Sequence, residues 1–94
     1  MSTQQTLTHK IESRSSAVDR LVLADKLTRT AQIYANASRN WLTTGREQLA
    51  RKKGKPLDDA SRTLLEDIFH HARKEATDAA AMCVVIIEQL RTAR

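Results

Sequence analysis

The stretch "RKKGKPLDD", residues 51–59, decides the fold, because it holds the only proline of the chain and one of its two glycines. Gly54 suits the left-handed conformation just past a helix end, and Pro56 suits the first turn of a new helix. Three cations precede Gly54 and two acids follow Pro56, and both placements favour the helix macrodipoles. The stretch therefore predicts a turn over residues 51–56 between two helices.

Downstream of this turn, small and apolar residues recur at steps of three or four, which is one face of a helix. The members of this stripe are Leu65, Ile68, Ala72, Ala76, Ala79, Cys83, Ile86 and Leu90. The stripe predicts a helix over residues 57–92 with these side chains turned inward. The β-branched run "VVII" at 84–87 also allows a strand, but the stripe continues through it in phase and no turn residue precedes it.

Upstream of the turn, large and small residues alternate with a seven-residue period. Leu27, Tyr34 and Trp41 form the large series, and Ala24, Ala31, Ser38 and Gly45 form the small series. Such a surface lets a second helix approach closely and interlock, so we predict a helix over residues 16–50. The serine-rich stretch at 13–16 is the expected break. Residues 1–15 are expected to form either a short N-terminal helix or an arm.

A turn this short forces the two helices to lie antiparallel. The expected fold is all-α: a long antiparallel helical hairpin over residues 16–94, with residues 1–15 ahead of it. Residues equidistant from Gly54 then meet across the hairpin, so Trp41 is expected opposite residues 65–68.

The run "AAAMCVVIIEQL", residues 79–90, has more apolar surface than one neighbouring helix can cover. Its apolar arc spans about 260° on a helical wheel, and the antiparallel helix brings more apolar residues to the same end. Such a patch is typical of an interaction site. The predicted protein interface consists of Leu21, Val22, Met82, Val84, Val85, Ile86 and Ile87.

Three occupants of this patch stay open at this point. The N-terminal segment folds back, with Leu7 and Ile11 over the patch, or a second copy pairs with the hairpin, or a different protein binds it. A hairpin this small is marginal alone, which favours a homodimer in which two hairpins form a four-helix bundle. A dimer that uses part of the patch leaves the rest for a different protein.

The turn is the most basic part of a chain whose net charge is +5. It carries four cations and no acid within residues 51–56: Arg51, Lys52, Lys53 and Lys55. Such a cluster can contact an anion or the phosphates of a nucleic acid. Cations at a solvated helix end also need no partner, and no recognition helix for DNA bases is evident. Nucleic-acid binding through the turn is therefore the alternative function rather than the preferred one.

Residues suited to catalysis or to metal binding do not assemble in the sequence. The one cluster of metal-ligand types is Glu66, Asp67, His70, His71 and Glu75. Zinc needs at least three convergent ligands, so these side chains are interpreted as solvated ion-pair partners. There is no glycine-rich phosphate loop. We expect no catalytic residue, no cofactor and no metal.

The number of cysteines and the composition of the first residues indicate where the protein is located. Cys83 is the only cysteine and the first residues lack a signal-peptide core, which suits a reducing cytoplasm. The apolar run is too short to span a bilayer, which takes about 20 residues. The sequence thus favours a small cytoplasmic, non-enzymatic regulatory protein that binds another protein, such as an inhibitor or antiactivator of a transcription regulator or enzyme.

Overall fold

The chain folds into two long helices that pack against each other, as a computed structural model shows. The model describes the backbone of residues 3–93 and the side chains of residues 16–93. Helix α1 spans Thr3–Arg51 and helix α2 spans Asp59–Thr92. No strand occurs within residues 3–93, and the run at 84–87 is part of α2. The predicted all-α helical hairpin is therefore confirmed.

Helix α1 differs from the prediction at its N-terminal side. It begins at Thr3 and runs without interruption through residues 13–16, where a break was expected. A serine in a helix interior costs only about 0.5 kcal/mol relative to alanine, whereas starting a separate helix requires a new and unfavourable nucleus. The serines are therefore too weak to end the helix. The expectation for Leu7 and Ile11 lies outside the described side chains.

The connection between the helices has the chemistry that its sequence indicates. Gly54 has a positive φ of 76°, the left-handed region that glycine adopts without strain. The backbone N–H of Lys55 donates to the carbonyl oxygen of Lys52 at 3.0 Å. Asp58 caps α2, since its side-chain oxygen accepts a hydrogen bond of 2.7 Å from the backbone N–H of Ser61. This turn brings α2 back along α1.

The two helices meet along one seam with a seven-residue period. In α1 every seam residue is buried or half-buried: Ala17, Arg20, Ala24, Leu27, Ala31, Tyr34, Ser38, Trp41, Gly45 and Gln48. This confirms the alternation of large and small residues predicted for α1. In α2 the seam consists of Leu65, Ile68, Ala72, Glu75, Ala79, Met82, Ile86 and Gln89. Steps of three and four alternate throughout, as in a coiled coil.

The tightest packing lies at the middle of the seam and on its turn side. Ser38 donates a buried hydrogen bond of 2.8 Å to the carbonyl oxygen of Ala72, a side chain that is only 3% exposed. A Cβ atom added to Gly45 would lie 2.6 Å from Cζ of Phe69. Small residues thus let the two backbones approach closely. Ile68, one helical turn before Ala72, is also buried.

The seam of α2 corrects three residues of the predicted stripe. Ala76, Cys83 and Leu90 were expected to face inward, but all three are exposed. Residues that each precede them by one position take the seam instead: Glu75, Met82 and Gln89. The predicted stripe contained two successive steps of four after Ile68, whereas a partner with a strict seven-residue period holds α2 to alternating steps. The three residues are therefore free on a neighbouring face.

Trp41 lies farther along α2 than predicted. Its ring stacks on that of His71, with 4.5 Å between the ring centroids and 15° between the planes. The expected position was opposite residues 65–68. The connection between the helices runs from 52 to 58, so the hairpin is centred closer to Lys55 than to Gly54. That displacement moves every facing pair along α2.

Candidate functional site

The end of the hairpin away from the turn is called the open end here. Arg20 fixes its level, because Nη1 of Arg20 donates to Thr92 Oγ1 at 2.7 Å and to Gln89 Oε1 at 3.4 Å. Arg20 of α1 therefore lies beside the last turn of α2. The apolar residues at 21–22 of α1 and 84–87 of α2 therefore lie towards the open end of the hairpin.

The predicted protein interface divides into two groups at this end. Five of its residues are between 36% and 57% exposed: Leu21, Val22, Val84, Val85 and Ile87. We call these five the open-end surface. Met82 and Ile86 are instead half-buried in the seam with α1. They hold the surface in place, and the five exposed side chains are the ones available for contact.

A second apolar surface lies along one side of the hairpin. It is formed by residues that follow the seam positions by one, and because the helices are antiparallel these residues lie on the same side on both helices. From the turn to the open end, α1 contributes Leu49, Leu42, Ala35, Thr28 and Leu21, and α2 contributes Phe69, Ala76, Cys83 and Leu90. All are exposed. We call this surface the apolar face.

The apolar face becomes concave near the turn. A groove of about 490 Å³ opens there between the helices. Its apolar wall is made by Leu49, Leu57, Leu65 and Phe69, and its polar rim is made by Arg62, Glu66, His70 and Arg73. This groove was not predicted from the sequence. The sign that could have found it is the repeat of large apolar residues one position after the seam, at Leu42, Leu49 and Phe69.

The basic turn brings its four cations together at the far end from the open-end surface. Arg51, Lys53 and Lys55 are exposed, and Lys52 is half-buried. The pKa of Asp58 is lowered chiefly by the hydrogen bond from the backbone of Ser61, with a smaller contribution from the charge of Lys52. Lys52 therefore stands close to the capping carboxylate of Asp58, and the other three cations are open to solvent.

The histidines and acidic side chains of α2 are possible metal ligands by sequence, and the structure places one of the histidines against α1. His71 packs on Trp41, a contact that the sequence analysis did not foresee. Among the described residues no group of three or more His, Cys, Asp or Glu side chains converges as a metal site. Cys83 is exposed on the apolar face. Neither helix, over the part of the chain described, has a stretch with the length and hydropathy of a membrane-crossing segment.

Comparison with known proteins gives no template for these surfaces. The chain matches no family model, no curated protein and no solved structure.

Proposed function

We propose that the protein is a small non-enzymatic regulatory protein that acts by binding another protein, as an inhibitor or antiactivator of a transcription regulator or enzyme. The observation that carries this proposal is the open-end surface. Its five large apolar side chains come from both helices, lie towards one end of the hairpin, and are exposed. Apolar surface that a partner covers stabilises a complex by about 25 cal/mol for each Å² removed from water.

The arrangement suits a protein that covers a surface of its target. The five apolar side chains are held on two paired helices, so little conformational entropy is lost on binding. Charged side chains stand beside the patch, with Arg20 before it on α1 and with Glu88 and Arg91 on α2. An apolar centre with a polar rim is the usual anatomy of a protein interface. A bound target loses the use of the apolar surface that it contributes.

The proposal includes a homodimer in which two hairpins form a four-helix bundle. The described core is small: Ala24, Leu65, Ile68 and Ala72 are its buried apolar residues. Two of these four are alanines. A second layer of helices supplies the burial that a single hairpin of this size lacks.

Paired variants test the open-end surface. Val22→Asp with Val85→Asp places charge on two exposed positions outside the seam, so the hairpin is expected to fold. The matched control is Ile33→Asp, because Ile33 is 67% exposed on α1 and lies away from the open end. A tagged chain is used to capture complexes from source-cell lysate after nuclease treatment and at high salt.

The expected result is one stoichiometric protein that binds the unchanged chain and the Ile33→Asp control but not the double variant. Equal capture by all three chains would contradict the proposal, provided that circular dichroism shows equal helicity.

The alternative is a nucleic-acid-binding accessory protein that uses the basic turn. It is supported by the placement of Arg51, Lys52, Lys53 and Lys55 at one end of a rod-like hairpin. Binding through these cations falls steeply with salt. Replacing the three lysines with glutamate then abolishes binding to nucleic acid and leaves capture through the open-end surface intact. Loss of all captured material after nuclease treatment would favour this alternative.

A further inference from the structure

We propose that the apolar face is covered by a second copy of the chain that lies head to tail, with α1 packed on α1 and α2 packed on α2 of the partner. The inference rests on the homodimer of the proposed function and adds its face and its direction. A head-to-tail pair has a two-fold axis across the hairpins, so each face meets itself in reverse order.

The spacing of residues on the apolar face suits this symmetry. Its large residues lie towards the two ends, and small residues lie at its middle, with Ala35 on α1 and Ala76 on α2. A two-fold axis near these alanines lets the helices of the two copies come close where they cross. Leu49 of one copy then lies at the level of Leu21 in the other. The seven-residue period of the seam is repeated in this second seam.

The shape of the face distinguishes the two possible directions. The groove of about 490 Å³ lies at the turn end, and the exposed leucines Leu21 and Leu90 lie at the open end of the same face. In a head-to-tail pair, the leucines of each copy enter the groove of the other. In a parallel pair, groove faces groove and leaves a void, which forfeits packing contacts.

The charges favour the same direction. A parallel pair places Arg39 beside Arg73 of the other copy and sets both basic turns at one end, where like charges repel. A head-to-tail pair separates the turns by the length of α2, which for its 34 residues is about 50 Å. It also brings Arg46 to the level of Asp25 in the other copy. The head-to-tail pair thus avoids the like-charge contact of the parallel pair and makes an opposite-charge contact at Arg46.

This arrangement leaves part of the open-end surface free. Val22 and Val85 point away from the apolar face, whereas Leu21 and Ile87 are on or next to it. The dimer therefore covers some of the apolar side chains and presents the valines to a target. Each dimer has two such sites at opposite ends, about 50 Å apart.

Disulfide cross-linking tests the direction with the full chain. Ala76→Cys with Cys83→Ser carries one thiol at the expected crossing, and mild oxidation should link it into dimers rapidly. Native Cys83 is seven residues away, so in the head-to-tail pair the two Cys83 residues are separated by about 20 Å along the axis and link poorly. A chain with Thr28→Cys and Cys83→Ser, mixed and refolded with the unchanged chain, links efficiently to Cys83 only in the parallel pair. Efficient linkage in that mixture, or none at position 76, would overturn the proposal.

Mass measurements separate this inference from the proposed function. The unchanged chain and the Ile33→Asp control should sediment at twice the 10.6 kDa of one chain. Leu42→Asp puts an unpaired carboxylate into the covered face of both copies and should weaken dimerisation by at least about 100-fold. A monomer at high protein concentration would refute both the dimer and this inference. A dimer that Leu42→Asp leaves intact would refute the face alone, and target capture reports independently on the open-end surface.

Discussion

Replacing Ala72 with leucine sets two physical effects against each other at the tightest point of the seam. Leucine and alanine are both good helix formers, and three added carbons would contribute about 2.4 kcal/mol if they were buried without strain. There is no room for them, however. Ala72 is 3% exposed, and Ser38 donates to its carbonyl oxygen at 2.8 Å. Overpacking costs about 1–3 kcal/mol, and loss of the Ser38 hydrogen bond costs about 0.5–1.5 kcal/mol.

The strain also removes contacts beyond the substituted residue. A leucine that separates the helices near Ala72 loosens the packing of Ile68, one turn away. The burial that would favour leucine is therefore not realised, and we expect Ala72→Leu to lower the free energy of unfolding by about 1–3 kcal/mol.

Urea unfolding followed by far-ultraviolet circular dichroism measures this change. The matched control is Ala81→Leu, because Ala81 is exposed on the same helix and its substitution should change stability by no more than about 0.5 kcal/mol. If Ala72→Leu is as stable as the unchanged chain while the slope of unfolding against urea stays the same, close approach of the helices is not what the small seam residues provide. A crystal structure of the variant would show the helices farther apart near Ser38.

Three further measurements follow from the geometry. Gly45→Ala gains about 1 kcal/mol of helix propensity but puts its Cβ 2.6 Å from Cζ of Phe69. Gly45→Ala should therefore raise the free energy of unfolding more in a Phe69→Ala background than in the unchanged chain. An equal rise in both backgrounds would disprove the contact. The lowered pKa of Asp58, whose ordinary value is 3.8, makes its carboxylate stabilising above that pH, and this contribution is lost as the pH falls through the lowered pKa. Asp58→Asn should remove that part of the acid dependence of the urea midpoint, and an unchanged pH profile would argue against it. The melting temperature of a homodimer should rise by about 3–5 °C for each tenfold increase in protein concentration, whereas a monomer shows no such change.

The fold was predictable where local chemistry agreed with the long-range pattern. Gly54 and Pro56 place the turn because each has a backbone preference that few other positions tolerate. The seven-residue series through Leu27, Tyr34 and Trp41 identifies the inner side of α1, because large apolar residues that alternate with small ones at this period form a surface on which another helix packs. Neither inference required knowledge of the other helix.

The parts that could not be predicted depend on the length of a whole helix or on the relation between the two helices. The serines at 13–16 resemble a break when read alone, but a long helix already nucleated passes through them at small cost. The contact between Trp41 and His71 depends on which residue lies at the centre of the turn, because moving that centre by one residue changes which residues of α2 face Trp41. The groove at the turn end exists only when Leu49 and Phe69 are brought to one side of the hairpin. The Trp41 contact and the groove are set by three-dimensional register, which a single sequence does not fix.

The stripe of α2 was misassigned because this helix has two neighbouring series of apolar residues, of which only one packs on α1. Apolar residues occupy both the seam position and the next position at two successive seam positions, Met82 with Cys83 and Ile86 with Ile87. An α-helix of 3.6 residues per turn can present either series to α1, and the strict seven-residue period of α1 selects the first. The second series is then left in phase with the first but turned to the side. A helix that faced solvent on that side would gain nothing from a second apolar series, whereas a helix packed between two neighbours needs both. The same surplus that made the sequence ambiguous is thus the strongest reason to expect a second layer of helices on the apolar face.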